Sequence, residues 1–326
     1  MLAGEYDLLI ATSMVDLATL RGLVPKLATL PTVLYFHENQ FDYPRAPAGT
    51  KGRGPQALLE AQMVSLYSAM AADRVVFNSR YNQEGFFSGS DALLNKLPDK
   101  VPTGIVQALR RKAIVIPVPL SPVSEPVRAD ASVWGAQQAQ MPRRDLRLLW
   151  VGRFEYDKGG EQLLLCLRAL ESRGLCYQLA VVGQQFRSSP AAFSTIENEF
   201  QHRLVQFGYL ESRRQYLATL AAADIVLSTA LHEFQGLAVL EAVAAGALPA
   251  VPADLVYPEI LPARNCYRTY PDEPGRQAGA AADLIVDLAG QLEEGVADLP
   301  DVTRFSTVSL APQYRELFHC LAERRQ

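Results

Sequence analysis

Cysteine is scarce in this 326-residue chain, and the four that occur, Cys166, Cys176, Cys266 and Cys320, lie far apart with no C-x-x-C pair among them. That spacing excludes a disulfide framework or a zinc ribbon and leaves buried free thiols as the expectation. Long apolar runs are missing too: nothing approaches the roughly 18 uninterrupted apolar residues of a membrane span. The first residues carry Glu5, Asp7 and Asp16 where a secretory leader would carry bases, so the expectation is a soluble cytoplasmic protein with no membrane partner. A formal net charge of −4 excludes a surface built wholly to hold nucleic acid, while leaving room for a local basic patch. With 49% hydrophobic and 20% charged residues the chain is too apolar for disorder, and its length suits about two domains.

What is present is an alternation of short β-rich runs with longer helix-patterned ones, the pattern of parallel α/β architecture. Strands are expected at Tyr6–Thr12, Thr32–Phe36, Arg74–Asn78 and Ala113–Ile116, with Leu59, Met63, Leu66 and Met70 at helical spacing and Ser79 placed to cap a helix. From Pro117 to Asp145 repeated prolines and small polar residues break the pattern, which reads as a linker. The alternation restarts with strands at Leu146–Val151, Gln178–Val182, Leu204–Phe207, Ile225–Ser228 and Leu248–Val251. Between them, Leu163, Leu164, Leu167 and Leu170 share one helix face, and further helices are expected near 191–202, 211–222 and 236–245. Two doubly wound sheets follow, one on each side of the linker. Ligands bind such sheets at the carboxyl ends of the strands, so the residues just after each strand carry the functional information.

Several familiar signatures do not occur. There is no G-x-x-x-x-G-K-[ST] phosphate loop and no G-x-G-x-x-G fingerprint, and His232-Glu233 lacks the second His of a zinc protease. No D-x-D triplet occurs to clamp a metal against a nucleotide sugar, so chemistry without a metal is expected. After the second strand stands His37-Glu38-Asn39-Gln40, a cluster that could solvate a loop or carry chemistry if partners converge on it. After the first strand beyond the linker stands Gly152-Arg153-Phe154-Glu155-Tyr156-Asp157-Lys158-Gly159-Gly160. Two cations beside glycines and a helix N-terminus can cradle a diphosphate; alternatively Arg153 and Lys158 pair with Glu155 and Asp157 at the surface. After Ser228 comes the run that holds Glu233, Gly236 and Glu241. It places Glu233 in a loop and Glu241 two turns into an apolar helix, where a carboxylate without a partner is costly, with the amides near Gly236 and Leu237 directed at an anion.

Together these features resemble the retaining glycosyltransferases of family 4, the GT-B class of two Rossmann-like domains facing a cleft. The two glutamates of HEFQGLAVLE, eight residues apart, form the most telling motif. YFHENQFDYP (Tyr35–Pro44), VVFNS (Val75–Ser79), GRFEYDKG, HEFQGLAVLEAV and DLVYPEI (Asp254–Ile260) closely resemble the tRNA-queuosine α-mannosyltransferases and their bacterial relatives, over nearly the whole chain.

The resemblance implies that Arg153 and Lys158 bind a donor diphosphate together with the amides of Gly236 and Leu237. It implies that Glu233 holds sugar hydroxyls, that Glu241 contacts the nucleotide ribose, and that Gly208 and Tyr209 lie near the base. His37 would face the reacting sugar, with Glu38, Asn39, Gln40 and Asn78 on the acceptor side. The implied reaction moves mannose from GDP-mannose to a cyclopentenediol hydroxyl of queuosine in tRNA, with retention, no metal and no cofactor beyond the donor. A phosphate oxygen of the leaving group would act as base. The implied organisation is an acceptor-side domain at 1–117, a linker at 118–145, a donor domain at 146–302 and terminal helices at 303–326 that cross back. The family's usual first strand and Gly-rich loop have no counterpart before YDLLIATS, so the first domain is expected to be truncated at its N-terminus. Two alternatives stay open. One is a family 4 enzyme with a metabolite, lipid or polysaccharide acceptor. The other is a catalytically impaired tRNA-binding relative, drawing on Lys51, Arg53, Arg110-Arg111-Lys112, Arg143-Arg144 and Arg213-Arg214.

Overall fold

A computed structural model describes residues 4–42, 55–97, 102–121, 133–134, 145–186 and 189–323. Most of the expected linker lies outside these residues, as do Tyr43, Pro44, Lys51, Arg53, Arg143 and Arg144. The chain divides into two compact units, residues 1–119 with 307–326, and residues 120–306.

The first unit runs β1 (Leu9–Thr12), α1 (Leu17–Leu23), α2 (Pro25–Ala28), β2 (Thr32–Phe36), α3 (Pro55–Ala71), β3 (Arg74–Phe77), α4 (Arg80–Leu94), α5 (Ile105–Lys112) and β4 (Ala113–Val115). The second runs β5 (Leu146–Val151), α6 (Gly160–Ser172), β6 (Tyr177–Val182), α7 (Ala191–Glu199), β7 (Leu204–Gly208), α8 (Arg213–Ala221), β8 (Ile225–Leu227), α9 (Leu237–Ala244), β9 (Leu248–Pro252), α10 (Tyr257–Ile260), β10 (Cys266–Tyr267) and α11 (Pro274–Glu294). The final helix, α12 (Thr307–Glu323), belongs to the first unit.

Every strand pairing is parallel, in the order β1-β2-β3-β4 in one sheet and β10-β9-β8-β5-β6-β7 in the other. Parallel sheets need cover on both faces, and β2 shows it, because all its residues are buried. Leu34 and Phe36 point into a core with Leu66, Phe86 and Leu109, while Val33 and Tyr35 point the other way, onto Leu310, Leu317 and Leu321 of α12. In the second unit Leu148 and Trp150 of β5 join Leu163, Leu167 and Leu170 of α6 and Ile285 of α11 in one core.

Some expectations shift. The first strand begins at Leu9 rather than Tyr6, α7 and α8 are shorter than their patterns, and the two-residue β10 was not foreseen. The helix expected from Leu59, Met63, Leu66 and Met70 is α3; Leu66 is buried while Leu59 and Met70 are exposed, and the helix turns Ser65, Leu66, Ser68 and Ala69 inward. The spacing of its large apolar residues therefore does not mark the buried face. Small residues do so by allowing close approach, and Ser68 Oγ both accepts from Leu17 N (3.0 Å) and reaches Val15 O (3.2 Å). Ser79 caps α4 as expected, accepting from Asn82 N at 3.0 Å.

The dependence of the first sheet on α12 is measurable. Leu310→Ala should cost about 2–5 kcal/mol in urea denaturation followed by far-UV circular dichroism. Val308→Ala, at a position 85% exposed, should stay within about 0.5 kcal/mol of the parent.

Candidate active site

From β5 the second sheet grows outward through β6 and β7, and then β8 returns to the opposite flank of β5. The reversal makes the carboxyl ends of β5 and β8 the switch point of the sheet, where a crevice opens for ligands. The two segments that leave these strands are the glycine-rich run from Gly152 to Gly160 and the run from Ser228 to Gly236.

These loops are welded together. Trp150 Nε1 donates to Thr229 Oγ1 at 3.0 Å, and that hydroxyl lies 3.0 Å from the carbonyl of Gly159 and 3.2 Å from that of Lys158. The amides of Leu231 and His232 both donate to the carbonyl of Asp157, at 2.8 and 3.2 Å. Gly159 adopts φ +70°, and a Cβ there would lie 1.8 Å from Thr229 O, so only glycine permits this approach.

Lys158 Nζ sits at the join. It is 3.2 Å from Glu233 Oε2, 3.1 Å from the carbonyl of His232 and 3.3 Å from Asp157 Oδ2, with the two glutamate and lysine side chains only 25% and 17% exposed. Burial opposes the charge on Lys158, but Glu233 and Asp157 outweigh it and raise its pKa. Burial likewise opposes ionisation of Glu233, and Lys158 with the amides of Gly236 and Gln235 reverses the balance, holding the carboxyl below its ordinary range. Glu233 Oε1 also accepts from Phe234 N at 3.1 Å. The loop amides that lead into α9, ending at its cap Gly236 (φ +69°), thus hold an anion supplied by the protein itself.

The surface pairing considered for the other cation is present. Arg153 lies 3.0 Å from Glu155 and 4.0 Å from Asp157, with its side chain 53% exposed and free to swing toward a ligand. Glu241 has the partners its apolar helix requires: Tyr216 OH donates to Oε2 at 2.8 Å and Arg213 Nη2 to Oε1 at 3.1 Å. Gly208 and Tyr209 end β7, two strand spacings or about 10 Å from β5. The Gly208 carbonyl accepts from Gly183 N, tying the exits of β6 and β7, and Tyr209 is exposed.

In the first unit, His37 to Gln40 leave β2 and Asn78 leaves β3 beside it. His37 is exposed, with its ring 4.7 Å from that of Tyr35. Partial burial lowers the His37 pKa, with Glu38 pulling weakly the other way, which keeps the imidazole neutral near pH 7. Asn78 Nδ2 donates to the His37 carbonyl at 2.8 Å, so it fixes the backbone that carries the imidazole. Asn39 is fully buried: its amide donates to Asp42 and Asn82 and its carbonyl accepts from Phe41 N and Asp42 N. Its hydrogen bonds are taken up in shaping the loop, which assigns Asn39 to scaffolding rather than to direct contact with an acceptor. Gln40 is also buried, 3.3 Å from Glu38 Oε1, whereas the side chain of Glu38 is partly open.

Reading the sequence alone did not single out Asp157, Thr229 or Tyr216. Asp157 was weighed only as a surface partner, although its place immediately before Lys158 in a glycine-rich loop was a usable signal. Tyr216 carried a weaker one, three residues after Arg213 and hence on the same face of α8.

The Glu233–Lys158 pair sets a pH dependence. A carboxyl with a depressed folded pKa contributes fully above its unfolded value of 4.5 and loses that contribution as pH falls through the folded value. Glu233→Gln should therefore be less stable than wild type by about 1–3 kcal/mol near neutral pH, with the gap in urea denaturation closing in acid.

Comparisons with known proteins place this geometry in a family. Residues 2–120 match the model of the tRNA-queuosine α-mannosyltransferase N-terminal region, and residues 136–272 match that of the group 1 glycosyl transferases. A tRNA-queuosine α-mannosyltransferase of Drosophila melanogaster is 36% identical over 264 residues, which cover 81% of this chain and 68% of the fly protein. Among solved structures, a sucrose-phosphate synthase from Thermosynechococcus elongatus shares the fold with a TM-score of 0.64 at 21% identity, covering 97% of this chain and 74% of that one. Anabaena HepE, solved in complex with UDP, does so with a TM-score of 0.61 at 17% identity, covering 97% and 79%. The two parallel α/β units are thus those of the GT-B fold, and the chain belongs to the tRNA-queuosine α-mannosyltransferase family.

Proposed function

We propose that this glycosyltransferase moves mannose from GDP-mannose to the cyclopentenediol of queuosine in tRNA, retaining the α configuration and using no metal. The observation that carries the reading is the meeting of Lys158, Glu233 and the start of α9 at the switch point of the second sheet. Cleavage of the donor's glycosidic bond leaves negative charge on the diphosphate and positive charge on the sugar. Lys158, Arg153 and the amides of Gly236 and Leu237 stabilise the first, and a preorganised donor set of this kind lowers a barrier by several kcal/mol. Glu233, released from the cradle when a diphosphate takes its place, holds sugar hydroxyls. Glu241 takes the ribose hydroxyls, and Gly208 with Tyr209 borders the base.

His37, neutral at physiological pH, presents a hydrogen-bonding edge to the sugar, and Glu38 and Gln40 attend the acceptor. With Glu233 as the carboxylate assigned to the sugar, attack on the face from which the diphosphate departs, with its phosphate oxygen taking the acceptor proton, accounts for retention better than a two-carboxylate displacement. The tRNA acceptor is supported by the family's N-terminal region spanning the first unit, and a cytoplasmic site of action is part of the same proposal. Among the described residues no helix is long and apolar enough to cross a membrane.

The test is to incubate the protein with GDP-mannose and queuosine-containing tRNA and weigh the digested nucleosides by mass spectrometry. Queuosine should gain one hexose mass. Glu233→Ala should lower the rate by about 100-fold or more while tRNA retention on a filter is preserved. Binding of GDP-mannose without transfer to queuosine would overturn the acceptor assignment.

A further inference from the structure

Glu241 is a carboxylate in the middle of an apolar helix, and both of its oxygens are engaged from a single neighbouring helix. Tyr216 OH donates to Oε2 at 2.8 Å and Arg213 Nη2 to Oε1 at 3.1 Å, and the Arg213 guanidinium lies 5.4 Å from the centre of the Tyr216 ring. Burial raises the Tyr216 pKa and the charge of Glu241 adds to it, so the phenol remains a donor throughout the physiological range. Each carboxylate oxygen accepts one bond from α8 and keeps acceptor capacity for a second donor. A cavity of about 230 Å³ opens beside this group, walled by Leu217 and Ala221 of α8, by Ala244 of α9 and by Ala245 just after it, and Glu241 is the one charged residue among the described residues that line it. Helix α8 also begins four residues after Tyr209, so the helix that grips Glu241 is continuous with the turn assigned to the base.

We propose that Tyr216 and Arg213 are positioning residues that hold the Glu241 carboxylate as a two-pronged acceptor for the vicinal 2′- and 3′-hydroxyls of the donor nucleotide. The inference rests on the reading of Glu241 given above. One carboxylate can serve two adjacent hydroxyls only if its plane is fixed, and two donors from α8, one on each oxygen, fix it. Without them the carboxylate would rotate, and the ribose would lose the pairing while the diphosphate kept its own contacts with Lys158 and Arg153.

The test compares GDP with 2′,3′-dideoxy-GDP by isothermal titration calorimetry on the whole chain. The wild type should prefer GDP by about tenfold or more. In Tyr216→Phe, which keeps the ring, the preference should fall to within about threefold, through weaker binding of GDP and little change for the dideoxy form. Arg213→Met should act in the same direction, and Glu241→Gln should remove the preference. A merely structural loss would weaken both nucleotides alike and leave their ratio intact. If the wild type discriminates and both α8 variants keep the full ratio, the positioning role is wrong while the donor site stands. If the wild type binds both nucleotides equally, or neither, the reading of Glu241 itself fails and the inference fails with it.

Discussion

An ammonium group held between two carboxylates, in a crevice at the reversal of a parallel sheet, is the constraint around which the second unit is arranged. Lys158 reaches Glu233 across a gap of 75 residues in sequence, and the two loops that carry them are closed on each other by backbone bonds to the Asp157 carbonyl and by the Thr229 hydroxyl. Neither loop could approach the other with a side chain at position 159, so the glycine there is as much part of the site as the charges are. Trp150, one residue before the end of β5, ties that weld to the hydrophobic interior through its indole N–H.

The weld has an electrostatic consequence. A carboxylate resting on the loop amides that lead into α9 and on a lysine keeps that largely buried cation compensated, in the position where the proposed function puts a phosphate. In the proposed donor complex the diphosphate, which carries more charge than Glu233, also engages Arg153, whose exposed guanidinium pairs with Glu155 at 3.0 Å and lies 4.0 Å from Asp157. In the proposed reaction Glu233, displaced from the cradle, is then available to the sugar, so that the same few residues would serve stability in the free protein and chemistry with the donor bound.

Much of this was readable from residue order because strand-to-loop exits carry function in parallel sheets. Arg153, Lys158, Glu233 and Gly236 stand out as candidates by their positions after apolar runs, and β2, β5 and the inward leucines of α6 follow their patterns closely. What could not be read depended on geometry across elements. The union of Glu241 with Arg213 and Tyr216 depends on the relative register of two helices, which spacing within either one does not specify. The inner face of α3 is marked by small residues rather than by the spacing of its large apolar ones, and residue order does not show that the Asn39 amide is surrounded by Asn82, Asp42 and the turn that it shapes. A two-residue strand such as β10 carries no periodicity at all.

The claim on which the account rests is that Lys158 is the principal cation for the donor diphosphate at the β5 and β8 switch point. The most direct measurement is a calorimetric titration of GDP into the wild type and into Lys158→Met, with circular dichroism confirming that the variant is folded. The account predicts that affinity falls by roughly tenfold or more in the variant. Equal affinity in a folded Lys158→Met protein would contradict it and would move the donor away from this crevice.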